Sequence, residues 1–412
     1  MAYPYQITTG AVLPSPAFGP GPYFNGSGIY VVLVDKPNAH AEVWKSSDAG
    51  VTWAEQDSGN HKSLRVFAAT TDQVVQTFQF GTKLFITYTH SSGDETRVAE
   101  FSMASDTWGT VITGGPTVAT GQFGNARITV RISNGELRCY YPITDGAVSD
   151  LNRSTYNGST WETPVTILDG AASDPARILS AVVDTSDNVG VLVLSAGPTF
   201  RFRADKADES LGTIQQLRFF QPSVYVPGSS TGVFLSSGSL TRFVFPMALH
   251  HETITTSTYA RVGLFLIDGA IATRFCTALL IADTYLNYET VSGEAGLVTS
   301  FSLIGSADPR YVYYVWLSSM STGDFAIKRA CCNVGCAVSV PSTVFTPSAG
   351  VAQRIEYIST GMNGADAGIV FSARIDNAAY TYRYPHYYQE TPTCSADSPC
   401  GGAASTGRYR IS

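Results

Sequence analysis

The sequence predicts an all-β fold, a β-propeller of about seven four-stranded blades, on three observations. Only 14% of the 412 residues are charged, 12% are aromatic, and 38 Gly and 20 Pro punctuate the chain. That is the profile of many short strands joined by tight turns rather than of helices or disorder. A polar turn ending in an aromatic position recurs, with 55 residues from Trp53 to Trp108 and 53 from Trp108 to Trp161. Units of that size cannot bury a sheet alone and must stack on neighbours, as in a propeller or similar array. The last unit lacks its fourth strand, and a strand candidate at the N-terminus is left over to supply it.

That candidate is residues 5–9, followed by a Pro- and Gly-rich irregular lead-in over 13–23. Residues 28–34 read as a continuous apolar strand, as expected where a sheet is covered on both faces. A short strand over 42–45 then leads into Ser46-Ser47-Asp48-Ala49-Gly50-Val51-Thr52-Trp53. Asp48 can accept backbone N–H groups two or more residues on and close the turn. Gly50 supplies a positive φ that a side chain would resist. Thr52 and Trp53 open the next strand, where β-branched and aromatic side chains pack well.

The remaining units follow in order. Blade 2 is expected over 74–80, 83–89 and 97–103. Blade 3 is expected over 127–132 and 136–143 with the Trp161 turn, and blade 4 over 177–184, 189–195 and 200–204. Blade 5 includes 232–246, with its apolar strand ending at Pro246. Blade 6 takes 301–304, 311–317 and 325–330, and the last unit 354–359, 368–373 and 379–384. The equivalents of the turn's Trp fall near Ile214, Phe275 and Val338. Six blades would suffice if the 124 residues from Ile214 to Val338 were one blade with a long insertion. Residues 1–390 thus form one propeller domain, closed by the N-terminal strand, which removes a free sheet edge. Residues 391–412 form a Gly-, Ser- and Cys-containing tail.

The pattern Ser46-x-Asp48-x-Gly50-x-Thr52-Trp53 resembles the Asp-box (BNR) repeat of sialidases and related propellers. Residues 154–161 keep Ser154, Gly158, Thr160 and Trp161, and residues 331–338 keep Asn333 in place of Asp, with Gly335. The stretch 232–246 is also similar to sialidases and trans-sialidases. The resemblance implies three arginines gripping a substrate carboxylate, a Tyr nucleophile assisted by a Glu, and an Asp acid/base. Three expected first strands open on Arg and an apolar residue, at Arg127, Arg177 and Arg354. First strands line the channel of a propeller, so these guanidinium forks could converge on a planar anion. The alternative is that each pairs with a nearby carboxylate, such as Asp174 for Arg177, and stitches blades together. Tyr357, with Glu289 or Glu294, are the residues that could stand for the catalytic Tyr and Glu. The family's Phe-Arg-Ile-Pro motif is absent, and no Arg precedes Arg65.

The expected function is therefore a non-catalytic glycan-binding or structural module, with an exo-glycosidase of the sialidase class acting on terminal acidic sugars as the alternative. Net charge of −7 gives nucleic-acid binding no electrostatic support. No apolar run is long enough to span a bilayer, and no secretory signal is visible at the N-terminus. A virion or phage surface component, or an extracellular scaffold contacting neighbouring subunits, suits this composition. No cofactor motif is present: there is no phosphate loop and no Gly-x-Ser-x-Gly elbow. No metal site is expected either. Cys331, Cys332 and Cys336 do not match zinc spacings, and His250-His251-Glu252 is placed in a loop after Leu249. Cys139 and Cys276 read as buried thiols, while a Cys394–Cys400 disulfide would need an oxidising environment.

Overall fold

A computed structural model describes residues 5–8, 20–35, 38, 40–63, 76–90, 95–117, 128–145, 148–170, 177–194, 199–218, 233–237, 240–254, 257–268, 275–278, 286–288, 301–305, 311–319, 325–333, 342–345, 355–363, 366–373 and 384–390. Among them are seven antiparallel sheets, six of them built on a meander of consecutive strands and the seventh shared between the two ends of the chain. Blade 1 comprises Tyr23–Phe24, Ile29–Asp35, His40–Ser46 and Ala54–Gln56, with Lys62–Ser63 added beside its third strand. Blade 2 comprises Gln76–Phe80, Lys83–Thr89, Thr96–Ser102 and Thr107–Ile112. Blade 3 is Ile128–Arg131, Leu137–Asp145, Val148–Tyr156 and Val165–Leu168. Blade 4 is Arg177–Val183, Val189–Leu194, Thr199–Asp205 and Gln215–Arg218.

Blade 5 is Val233–Ser237, Leu240–Ile254, Ser257–Asp268 and Phe275–Ala278, with Leu286–Tyr288 paired to its third strand. Blade 6 is Phe301–Gly305, Tyr311–Ser319, Phe325–Asn333 and Ser342–Phe345. Blade 7 takes Ile355–Asn363, Asp366–Ala373 and Tyr384–Glu390 from the C-terminal part and Tyr5–Gln6 from the N-terminal part. The N-terminal strand pairs antiparallel with the third, Tyr5 opposite Tyr387 and Gln6 opposite His386. The two ends of the chain therefore share one sheet, as the leftover strand predicted.

The first strands form an inner ring. Those of blades 2 and 3, 3 and 4, 4 and 5, 5 and 6, 6 and 7, and 7 and 1 are neighbours. Blades 1 and 2 are joined where Tyr23 Oη donates to the Thr77 carbonyl at 2.8 Å and Gln79 Nε2 donates to the Phe24 carbonyl at 2.9 Å. Between blades the core is apolar. Val32, Val34 and Val43 of blade 1 pack on Leu84, Ile86 and Phe101 of blade 2. Ile128, Tyr140 and Leu151 of blade 3 pack on Val189 and Val191 of blade 4. Phe202 of blade 4 lies 5.5 Å, centroid to centroid, from Phe243 of blade 5. Val31 and Leu33 of blade 1 pack on Val370 and Tyr387 of blade 7. Each buried aliphatic side chain contributes about 1.5–3 kcal/mol, so closing the ring adds a full apolar interface between the first and last blades.

The seven sheets remove the six-blade alternative, because the stretch from Ile214 to Val338 holds blade 5 and most of blade 6. Several boundaries also move. Tyr23–Phe24 is the first strand of blade 1, although its Pro- and Gly-rich approach reads as irregular. Blade 3 has a third strand, Val148–Tyr156, whose polar alternation hid it. In blade 4 the position matching Trp161 is Leu211, which bridges Asp205 as Trp161 bridges Tyr156, and Ile214 is exposed. The second strand of blade 5 continues through Pro246 to Ile254, so His250 and His251 are paired strand residues, opposite Ala260 and Tyr259, rather than a loop. The last third strand is Tyr384–Glu390 rather than 379–384.

Pro246 and Pro385 lie within strands rather than ending them, Pro246 opposite Leu264 and Pro385 opposite Ser372. The N-terminal strand stops at Gln6 opposite His386, short of Pro385, so Pro385 has a strand on one side only, where its missing N–H costs no ladder bond. Removing residues 1–12 should expose the Tyr384–Glu390 edge to other chains. We expect oligomers or aggregates by size-exclusion chromatography; a monomer of unchanged stability would show that blade 7 closes without the N-terminal strand.

Candidate functional site

The turn from Ser46 to Trp53 links the third and fourth strands of blade 1 and lies on what we term the lower face, the one opposite the starts of the first strands. Asp48 organises it: Oδ1 accepts from the Thr52 amide and from Ser46 Oγ, both at 2.8 Å, and Oδ2 accepts from Thr52 Oγ1 at 2.6 Å. The Gly50 amide donates to Ser46 Oγ at 2.8 Å. These donors, those from Thr52 foremost, hold the Asp48 carboxyl down at about 2. Gly50 has φ +90° and Gly158, in the second copy, φ +98°. In that copy Asn157 takes the Asp role at a tighter turn, accepting from the Ser159 and Thr160 amides at 3.1 Å.

Three tryptophans after such turns all lean on the preceding blade. Trp53 meets Tyr387 of blade 7 edge-on at 5.5 Å. Trp108 sits under Lys62, and its amide donates to Asp57, both in the segment that ends blade 1. Trp161 donates from Nε1 to the Thr113 carbonyl, just after blade 2. In the Trp108 turn, Ser105 stands at the Gly position and the next residue, Asp106, adopts the positive φ. Asn333 ends the third strand of blade 6, opposite Tyr311, and Gly335 and Val338 lie outside the described residues. The turns are scaffold: they staple blade to blade.

A second staple is charged and wholly buried. Arg138, Tyr140 and Arg153 of blade 3 surround Asp205 of blade 4. Arg153 Nη1 and Tyr140 Oη lie 2.6 Å from its carboxylate oxygens, and Arg138 Nη1 3.4 Å. Arg138 also donates to the carbonyls of Lys206 and Ala207 at 2.8 and 3.1 Å. Burial opposes the Arg153 charge, but Asp205 outweighs it and the shift is upward. Burial, then the Asp205 charge, drives the Tyr140 hydroxyl far up, so it stays a donor.

The upper face is where each first strand starts and where second strands turn back into third strands. Arg177 is the first residue of blade 4's first strand. Arg127 and Arg354 lie outside the described residues, each immediately before a first strand that begins at Ile128 or Ile355. Tyr357 falls in the first strand of blade 7, at a register shift between Glu356 and Ile358. Such bulges re-aim a strand locally. Glu289 and Glu294 lie outside the described residues, Glu289 directly after Leu286–Tyr288. Cys139 is a buried thiol, as expected, and Cys331 is disulfide-bonded.

A further polar cluster occupies the same face on blade 2. Tyr88 pairs with Arg97 across the second and third strands, which places both on one face of the sheet. Arg97 donates through Nε and Nη2 to Glu95 Oε2 at 3.1 and 3.0 Å, and the Gly114 amide caps Glu95 Oε1. Burial raises the Tyr88 hydroxyl, with Arg97 opposing. Burial and the Arg97 charge lower His90, so its imidazole is neutral at neutral pH. A neutral imidazole beside a fixed guanidinium can take up a proton next to an anionic ligand. The sequence did carry a signal for it: Ser-Ser-Gly-Asp over 91–94 marks a hairpin that brings residues 88, 90, 95 and 97 together.

No family model matches the chain, and no curated protein does. Solved structures share the fold. A PL25 ulvan lyase, a polysaccharide lyase bound to -[GlcA(1-4)Rha3S]-, superposes with TM-score 0.59 at 10% identity, covering 93% of this chain and 94% of that one. A second structure of PL25 ulvan lyase gives TM-score 0.59 at 9% identity, over 94% and 95% of the two chains. At those identities the likeness establishes a shared architecture: the chain is a β-propeller spanning nearly the full length of these lyases.

Proposed function

We propose that the chain is a carbohydrate-binding propeller that holds an acidic polysaccharide across the upper mouth of the ring. The observation carrying this is the common placement of the first-strand starts around one end of the inner ring. Arg177 is at one start, and Arg127 and Arg354 immediately precede two others. Guanidinium forks suit a carboxylate-bearing sugar, because bidentate charge-assisted bonds add direction to attraction. The fold shared with a lyase bound to a GlcA-containing polysaccharide supports a ligand of that class. A setting outside cells or on a virion surface goes with this reading, since structural disulfides such as that of Cys331 persist in oxidising environments. Seven blades and the missing Phe-Arg-Ile-Pro motif separate the chain from the six-bladed sialidases, and no hydrolysis of a fluorogenic sialoside is expected.

A second reading is eliminative cleavage of the same polymer, favoured by the neutral His90 beside Arg97. Elimination needs a base near a uronate whose carboxylate is neutralised by a cation. Calorimetric titration with a glucuronate-containing polysaccharide tests the first reading. Binding should weaken as salt rises, and a neutral glucan should give no heat. Equal binding of the neutral glucan would overturn it. Ultraviolet absorbance from unsaturated uronate ends, lost in His90→Ala, would establish the second.

A further inference from the structure

Blade 1 carries a separate cluster on the face it turns toward blade 7. His40, Glu42 and Trp44 alternate along the third strand, and alternate residues share a face. Glu55 stands opposite Trp44. His61 directly precedes Lys62, which pairs with Ala41, so it reaches the same side. The result is two imidazoles and two carboxylates in one place. Donor atoms of Glu42, Glu55 and His61 all lie within 4.8 Å of one another. His61 Nε2 contacts Glu55 Oε1, and its Nδ1 faces His40 Nδ1 at 3.2 Å.

Two features separate this group from a solvated patch of charges. Glu42 is only 6% exposed, yet it shares the pocket with a second carboxylate. Its oxygen is oriented by Trp44 Nε1, which donates at 2.8 Å. An indole N–H fixed on a buried carboxylate is the arrangement that outer partners give to metal ligands. A cation between the two carboxylates would relieve the repulsion between them. Two Nδ1 atoms facing each other can form a hydrogen bond only if one carries the proton and the other does not.

We propose that Glu42, Glu55 and His61 form a binding site for a divalent transition metal of the zinc type, with His40 as the outer partner of His61 and the fourth position left to water. Imidazole and carboxylate donors are the set such an ion accepts, with bonds of about 2.0–2.2 Å in a tetrahedron. The ion would clamp Ala54–Gln56 and the segment before Lys62–Ser63 onto the third strand of blade 1. It lies on a different blade face from Tyr88 and Arg97, so its failure leaves the carbohydrate reading untouched.

The test uses untagged protein stripped with chelator and dialysed. Zinc uptake is measured by elemental analysis, and Co²⁺ is titrated with visible absorption recorded. We expect one equivalent of zinc and the intense visible bands of four-coordinate cobalt. Both should vanish in His61→Ala and in Glu55→Gln, while the paired change His250→Ala, His251→Ala leaves them intact. Trp44→Phe should weaken binding roughly 10–100-fold, as loss of an outer partner does. Absence of stoichiometric uptake by the wild-type protein overturns the proposal, whether or not the variants fold. So does uptake unchanged in Glu55→Gln and His61→Ala.

Discussion

Asp205→Ala should cost the protein about 3–5 kcal/mol, the usual penalty for removing one partner from a buried ion pair. Arg138 is 0% exposed and Arg153 is 2% exposed. Without Asp205 their positive charges face each other inside the blade 3–blade 4 interface. Glu209 remains 3.5 Å from Arg153, but its side chain is 45% exposed and compensates weakly. The Tyr140 hydroxyl also loses its acceptor. Asp205→Asn should cost less, because one oxygen still accepts, although the charge is lost and the amide NH2 meets a donor in place of the second oxygen. Urea denaturation of both variants measures this. A loss below about 1 kcal/mol for Asp205→Ala would mean that Arg138 is satisfied by the carbonyls of Lys206 and Ala207 and Arg153 by Glu209.

Gly50→Ala should be the second most damaging single change, at about 2–4 kcal/mol. Part of that is conformational: φ of +90° is strained for any L side chain, at about 1 kcal/mol. The larger part is steric. A Cβ on Gly50 would lie 2.2 Å from Cδ1 and 2.4 Å from Cε1 of Tyr387. Tyr387 is 1% exposed, meets Trp53 edge-on, and sits opposite Tyr5 of the N-terminal strand. Its ring cannot yield without disturbing the junction that closes the propeller, and overpacking of this kind costs about 1–3 kcal/mol. Gly158→Ala is the internal control. It has nearly the same φ, +98°, but nothing stands within 4 Å of its Cβ position. It should therefore lose only about 1 kcal/mol. Equal losses at Gly50 and Gly158 would remove Tyr387 from the explanation.

Much of this architecture was legible because its causes are local. Asp48, Gly50 and Thr52 make a turn by bonding each other, so the turn and its period reveal the blades. The closing strand at Tyr5–Gln6 followed from counting strands. What was not legible depends on neighbours distant in sequence. Pro385 is tolerated because the N-terminal strand ends beside it, which no local pattern announces. Arg138 and Arg153 read as ordinary strand residues, and only the ring places Asp205 between them. The cluster of His40, Glu42, Glu55 and His61 needs the register of three strands to become visible. The arginine motif was legible as a repeat: Arg177 opens a first strand, and Arg127 and Arg354 directly precede two others.

The upper-face reading is tested most directly by locating the binding surface. The triple change Arg127→Ala, Arg177→Ala, Arg354→Ala is compared by calorimetry with Lys83→Ala, whose cation lies at the lower end of blade 2 and is 47% exposed. Each lost charge-assisted bond is worth about 1.5–3 kcal/mol, so the triple variant should bind a glucuronate-containing polysaccharide at least about a hundredfold more weakly, with its melting temperature preserved. Lys83→Ala should bind like the wild-type protein. A triple variant that keeps wild-type affinity, or a loss of equal size in Lys83→Ala, would contradict a carboxylate-binding mouth formed by the first strands.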